Sequence, residues 1–209
     1  MSTKFWDKRA QKYDDDIGKH GAVYTRTIER TKSLLSTSDV VLDLGCASGE
    51  FSLDIVPRVQ SVRGIDTSTN MIAMATQKAS DRSVDNVAFD PTDVFDRSLD
   101  AHCYTAVLAF SFLHLAEDIH SVLSRVNQLL PTDGLLISQT PCLGERGILF
   151  RMFVGFAQKI KVAPPILSLT VPQLEAQITD ANFDIAESTE WDPKDAIHWI
   201  VARKRQHAS

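Results

Sequence analysis

The stretch Val40-Val41-Leu42-Asp43-Leu44-Gly45-Cys46-Ala47-Ser48-Gly49-Glu50 decides how the rest of this 209-residue chain is read. Its first five residues are a short apolar run rich in branched side chains, the pattern of a strand buried on both faces. The run stops at Gly45, Gly49 follows four residues later, and a helical pattern then covers Glu50 to Val56. A strand, a loop with spaced glycines and a helix N-terminus make a nucleotide-type cradle, because glycine lets backbone amides approach a ligand closely. A second run, Ser61-Val62-Arg63-Gly64-Ile65-Asp66, ends in an acid 21 residues after Gly45. A carboxylate at that distance accepts from both hydroxyls of a ribose.

Charge separates the ligands that use such a cradle. A dinucleotide sets an anionic pyrophosphate against the glycine loop, where Asp43, two residues before Gly45, is repulsive. The third glycine of the dinucleotide fingerprint is also missing. S-adenosylmethionine carries no phosphate, and its sulfonium and ammonium groups are favoured by nearby carboxylates. The spacing therefore points to S-adenosylmethionine as cofactor, with S-adenosylhomocysteine as its product.

Outward from this stretch the chain alternates between the two periods. Asn86 to Phe89, Tyr104 to Phe110 and Gly134 to Gln139 read as further strands, and Ser68 to Ala79 and Glu117 to Leu130 as helices. The last of these carries the stripe Ile119, Val122, Leu123, Val126, Leu129 and Leu130. A helix from Pro172 to Ala181 and two final strands, Phe183 to Glu190 and Ala196 to Lys204, complete the pattern, the short link Asp192-Pro193-Lys194-Asp195 making those strands an antiparallel hairpin. The expected fold is a three-layer, Rossmann-like α/β structure: a seven-stranded sheet, mostly parallel with an antiparallel C-terminal strand, and helices on both faces. Residues 1–36 carry helical spacing and are expected to form an N-terminal cover or lid. Residues 37–209 are expected to form the core, with an aromatic-rich insertion at 141–171.

Composition excludes several functions. Twenty-two Lys and Arg against 27 Asp and Glu give a net charge of −5, the opposite of the balance expected for a protein that neutralises phosphates, so no nucleic-acid partner is expected. The one tight basic cluster, Arg203-Lys204-Arg205, reads as the solvated end of a strand. Three cysteines without metal-ligand spacing argue against a disulfide framework and a zinc site, so no metal is expected. The N-terminus lacks a secretory pattern, and no apolar run is long enough to span a bilayer. A cytoplasmic monomer or homodimer acting on a small molecule, without stable membrane insertion, is the expectation. Nine glycines are about 4% of the chain, against a usual share of about 7%, so each is suspected of a backbone role.

Val40 to Gly49 resembles the first motif of class I S-adenosylmethionine-dependent methyltransferases, and Val62-Arg63-Gly64-Ile65-Asp66-Thr67-Ser68 with Met71 resembles their second. Phe89-Asp90-Pro91-Thr92-Asp93-Val94, Tyr104 to Asp118 and Leu130 to Leu136 are similar to the later segments in order, in the pattern of the small-molecule branch that includes quinone-biosynthesis enzymes. The resemblance covers about residues 37 to 140 and extends loosely to Phe5-Trp6 and Ala10-Gln11-Lys12-Tyr13-Asp14. It implies that Asp43, Gly45 and Gly49 surround the methionine part, that Asp66 meets the ribose, that Met71 packs near the adenine, and that Cys46, Ala47 and Thr67 also belong to the cofactor site. Asp93 and Val94 are placed at the adenine edge, with Asp90 competing for that contact, and the backbone at Phe110 and Ser111 lies beside the sulfonium. Ala47 departs from the family, which most often has glycine there, and is expected to be tolerated with a negative φ.

His114, four residues after Phe110, is the candidate general base; the alternative is a structural histidine. Tyr13 either closes over the cofactor or belongs to a helix stripe with Trp6 and Ala10. The insertion either lines a pocket for an apolar acceptor, covers the core or makes a dimer contact. The reading is methyl transfer to a small-molecule acceptor, either apolar or, as Arg146, Arg151, Lys159 and Lys161 in the insertion would also suit, anionic or membrane-embedded; the alternatives are a non-catalytic S-adenosylmethionine-binding module and, more distantly, a nicotinamide-dependent oxidoreductase.

Overall fold

The computed structural model describes residues 5–10, 13, 21–101, 103–146 and 166–206. Among these residues one sheet is built from β1 (Val40–Leu44), β2 (Ser61–Ile65), β3 (Val87–Asp90), β4 (Ala106–Phe110), β5 (Leu135–Pro141), β6 (Phe183–Asp192) and β7 (Ile197–Lys204). The strand order is β3-β2-β1-β4-β5-β7-β6. β1 to β5 pair in parallel, and β7 runs antiparallel to both β5 and β6. The helices are α1 (Gly21–Leu34), α2 (Glu50–Ile55), α3 (Thr69–Asp81), α4 (Ile119–Leu129) and α5 (Val171–Asp180), and residues 5–10 are helical too. The expected three-layer architecture is the one observed.

Strand side chains alternate between two cores, as the period of two requires. Val41, Leu108 and Ile137 face one side, where they pack with Ile28 of α1 and Ile55 of α2. Leu42, Val107 and Leu136 face the other, against Val122, Leu123 and Val126 of α4 and Ile178 of α5. The expected stripe of α4 is buried as predicted, but the helix starts at Ile119 and not Glu117. Asp118 accounts for the difference: its carboxylate accepts from the Ser121 amide at 3.0 Å, which places it at the cap. A capping box opens α5, where Thr170 Oγ1 accepts from the Gln173 amide and Gln173 Oε1 from the Thr170 amide.

The basic tail is absorbed into this framework. Lys204 is buried, and its Nζ donates at 2.8 Å to the carbonyls of both Asn127 and Leu130, at the C-terminal end of α4. A cation there satisfies orphan carbonyls and complements the helix dipole. Arg205 pairs with Asp184 at 2.7 Å, and Arg203 bonds the Asp133 carbonyl at 3.3 Å. Each member of the cluster therefore has an intramolecular partner.

The strand order reverses direction between β1 and β4. In open α/β sheets such a switch point leaves a crevice beyond the carboxyl ends of the strands. The glycine loop follows β1 and the segment Ser111 to Leu115 follows β4, so both open onto it. Most of the insertion, including Ile148 to Phe156, lies outside the described residues, as do Gln11, Lys12 and Asp14 to His20.

Candidate cofactor and acceptor site

The glycine loop turns through three left-handed residues, Gly45 (φ +66°), Ala47 (φ +48°) and Gly49 (φ +79°). The Gly45 and Cys46 amides both donate to the Ile65 carbonyl, at 2.8 and 3.0 Å, tying the loop to the end of β2. A Cβ on Gly45 would stand 2.6 Å from Phe112 Cδ2, and one on Gly49 would stand 2.8 Å from both Ala75 Cβ and Phe89 Cζ. These two glycines are required by conformation and by space together. The negative φ expected for Ala47 is corrected: the residue is left-handed, at a cost of about 1–2 kcal/mol for an L side chain. Its surroundings hold it there, since its amide donates to Asp66 Oδ2 at 3.2 Å and its methyl packs against Ala10 and Met71.

Two carboxylates stand under and beside this loop. Asp43 is buried behind it, accepts from Ser52 Oγ at 2.6 Å, and lines neither of the chambers described below. Burial first, and then the nearby Asp66, push its pKa up to about 6, against the bond from Ser52. Asp43, expected around the methionine part of the ligand, sits behind the loop, where it holds α2 through Ser52. Asp66 faces the crevice. Its Oδ1 accepts from the Ser68 amide at 2.8 Å, and burial raises its pKa while the Ser68 and Ala47 amides oppose that rise. Cys46 contributes its amide, whereas its thiol is buried and its pKa pushed well up, first by desolvation.

The crevice has two adjoining chambers that share Gly45, Asp66, Phe112 and Leu115. The smaller, about 440 Å³, is lined by Thr67, Asp93, Val94 and Phe95 among others. Asp93 lines it while accepting from the Phe95 amide at 2.8 Å. Asp90, the competing acid, is instead paired with Arg63 Nε at 2.8 Å and lines neither chamber.

The larger chamber, about 660 Å³, is lined by Ala47, Met71, Phe110, Ser111 and His114, joined by Tyr13 and Trp6 from the N-terminal segment. Met71 lines this chamber and not the one that holds Asp93. Of the alternatives posed for Tyr13 the helix stripe is the one seen, since Trp6, Ala10 and Tyr13 pack together on Met71 and Ala47. Asp7 anchors it to the start of α3: its carboxylate accepts from Ser68 Oγ at 2.5 Å, and its carbonyl accepts from Asn70 Nδ2 at 3.2 Å. Ser111, at the end of β4, is also left-handed (φ +50°), and its amide donates to the Gln139 carbonyl at 2.7 Å. Non-glycine residues in this conformation gather at functional sites. His114 is buried, and desolvation pulls its pKa down to about 4, so its ring is neutral at physiological pH.

Sequence reading missed Tyr24, Phe51, Phe112 and Gln139, which line the larger chamber as well. Phe51 and Tyr24 look like ordinary core residues of α2 and α1. Gln139 was visible only as a lone polar residue near the end of an apolar strand.

The fold is α/β, with a crevice at its switch point bordered by the glycine loop and Asp66. A methyltransferase-domain family model matches residues 35–203, and the chain belongs to that family. An uncharacterized methyltransferase of Anoxybacillus flavithermus is 22% identical over 94% of both chains. A methyltransferase of Geobacillus sp. (strain WCH70) is 29% identical over 46% of this chain, and the match spans 40% of that protein's length. Among solved structures, the Haloferax volcanii methyltransferase complexed with the Trm112 activator superposes with a TM-score of 0.78 at 15% identity, over 96% of this chain and 98% of that one. That likeness concerns the fold. Among the described residues no helix is long and apolar enough to cross a membrane.

Proposed function

We propose that this chain transfers a methyl group from S-adenosylmethionine to a small-molecule acceptor by in-line displacement. The observation that carries the reading is Asp66, a half-buried carboxylate fixed by two loop amides where the two chambers meet. A ribose with paired hydroxyls suits that carboxylate, an adenine suits the smaller chamber beside Asp93 and Val94, and a methionine tail suits the glycine loop. The raised pKa values of Asp43 and Asp66 fit a cationic ligand, which would relieve the cost of keeping two nearby carboxylates charged. The cofactor, once bound, supplies an electrophilic methyl on a good leaving group. What remains for the protein is to hold the acceptor near it and exclude water, the kind of catalysis that positioning can provide. The N-terminal segment, clamped at Asp7, serves as the cover, and Pro141 and Ile166, near the two ends of the insertion, line the acceptor side.

Calorimetric titration with S-adenosylmethionine and S-adenosylhomocysteine tests this. The wild type should bind both, and Asp66→Ala should bind 10- to 150-fold more weakly, the equivalent of about 1.5–3 kcal/mol for a lost charged hydrogen bond. No binding by the wild type, or tight binding of NAD in its place, sinks the proposal.

A further inference from the structure

We infer that the larger chamber takes an uncharged, planar aromatic acceptor whose hydrogen-bonding group is held by Gln139 and His114 at the carboxyl ends of β5 and β4. The inference rests on the methyl-transfer reading only in calling that ligand the acceptor.

The first support is the chamber's walls. Aromatic residues are 8% of the chain, yet seven of the 21 described residues around this chamber are Phe, Tyr or Trp. Three of the rings touch in series: Tyr24 lies 4.5 Å from Phe51 between centroids and Phe51 lies 5.0 Å from Phe110, which is backed by the buried Trp199 at 6.2 Å. Elsewhere in the lining Trp6 meets Tyr13 edge-on at 6.4 Å. Such rings gain most from a flat partner that can stack offset or edge-to-face.

The second support is the nature of the polar groups inside. Ligand pockets are mostly apolar, with a few polar groups that fix orientation. Here the inner ones are neutral. Gln139 is 6% exposed, lies between Phe110 and Trp199 in the strand register, and has its side-chain oxygen 2.8 Å from Thr27 Oγ1. His114 is 8% exposed, and its Nδ1 is buried with no hydrogen-bond partner among the described residues. Of the charged groups of the lining, Arg9 and Asp195 are exposed, Arg9 over the Phe5 ring at 5.5 Å and Asp195 paired with Arg146 at 3.5 Å, and Asp66 is held by the loop amides on the cofactor side. A charged acceptor end pressed among Phe110, Phe112 and the neutral His114 would lose its hydration without an ion partner. A hydroxyl or carbonyl on a ring would not.

The test uses four probes that separate shape from charge: 2-naphthol, 2-naphthoate, 2-naphthylmethylamine and 1-decanol. Each is titrated at pH 7.5 into the full chain saturated with S-adenosylhomocysteine. The naphthol should bind at least ten-fold more tightly than each of the others. In Gln139→Glu, naphthol affinity should fall at least five-fold while the amine gains, a reversal of preference that loss of packing alone would not produce. If that variant does not fold, as judged by circular dichroism, Gln139→Leu replaces it and should weaken naphthol at least five-fold. Preference for a charged congener or for decanol, binding of none of the four, or a naphthol affinity unchanged in the Gln139 variant overturns the inference and leaves the cofactor reading standing. Failure of the wild type to bind S-adenosylhomocysteine overturns the cofactor reading.

Discussion

Asp43→Asn should make the ligand-free protein more tolerant of neutral pH, because the wild type keeps a buried carboxylate whose pKa is raised from 3.8 to about 6. The sign follows from linkage. A carboxyl with a raised folded pKa contributes stability that is complete below its unfolded pKa and lost as pH climbs through the folded one. At 1.36 kcal/mol per pH unit the full cost of ionising Asp43 in place is about 3 kcal/mol. Between pH 4.5 and 7.5, which covers only part of the titration, the difference in unfolding free energy between Asp43→Asn and wild type should rise by about 2 kcal/mol in favour of the variant. Asparagine retains an oxygen for the Ser52 hydroxyl, and any penalty for its unpaired N–H₂ is the same at both pH values, so it cancels from the difference. Urea unfolding at the two pH values, followed by tryptophan fluorescence, measures the quantity directly. A difference that does not change with pH, or that moves against the variant as pH rises, would refute the account of Asp43 as a costly charge beneath the loop. In the same variant S-adenosylhomocysteine should bind more weakly, which would show that the wild type tolerates the charge for its ligand.

His114 should act with the opposite sign. Its folded pKa of about 4 lies below the ordinary 6.5, so its contribution is present above pH 6.5 and lost on acidification; His114→Phe should lose about 2.5 kcal/mol less than wild type between pH 7.5 and 4.5 by the same urea assay. Gly49→Ala should destabilise by about 3 kcal/mol, combining left-handed strain with a 2.8 Å clash, and should abolish cofactor binding by calorimetry. Gly64→Ala places a Cβ 2.6 Å from the Phe89 ring without that backbone strain, and should cost about 1–3 kcal/mol in thermal unfolding. Lys204→Ala, which leaves the end of α4 without its cation, should cost about 2–4 kcal/mol while S-adenosylhomocysteine affinity stays within two-fold of wild type.

What the sequence determined by itself was the part of the protein governed by local rules. Alternation of apolar runs with helical stripes specified the parallel sheet and its covering helices, because strands buried on both faces have to be apolar at every position, as the burial of β4 throughout shows. The spacing of Gly45, Gly49 and Asp66 located the left-handed loop and the acid beside it, since a tight turn and a strand end are set by residues close in sequence. Tertiary structure decided everything that depends on which strand ends meet. It moved Asp43 behind the loop, because Ser52 on the next helix captures its carboxylate. It put Ala47 in a left-handed turn that its own side chain disfavours, because bonds from Gly45 and Cys46 to the distant Ile65 close the loop around it. It committed Asp90 to Arg63 and left Asp93 to line the smaller chamber. It also gathered Tyr24, Phe51, Phe110 and Gln139, which no spacing rule connects, around one chamber. Element type and order are legible from neighbours along the chain, whereas the conformation of Ala47 and the partners of a buried polar group are assigned only when the sheet order brings distant residues together.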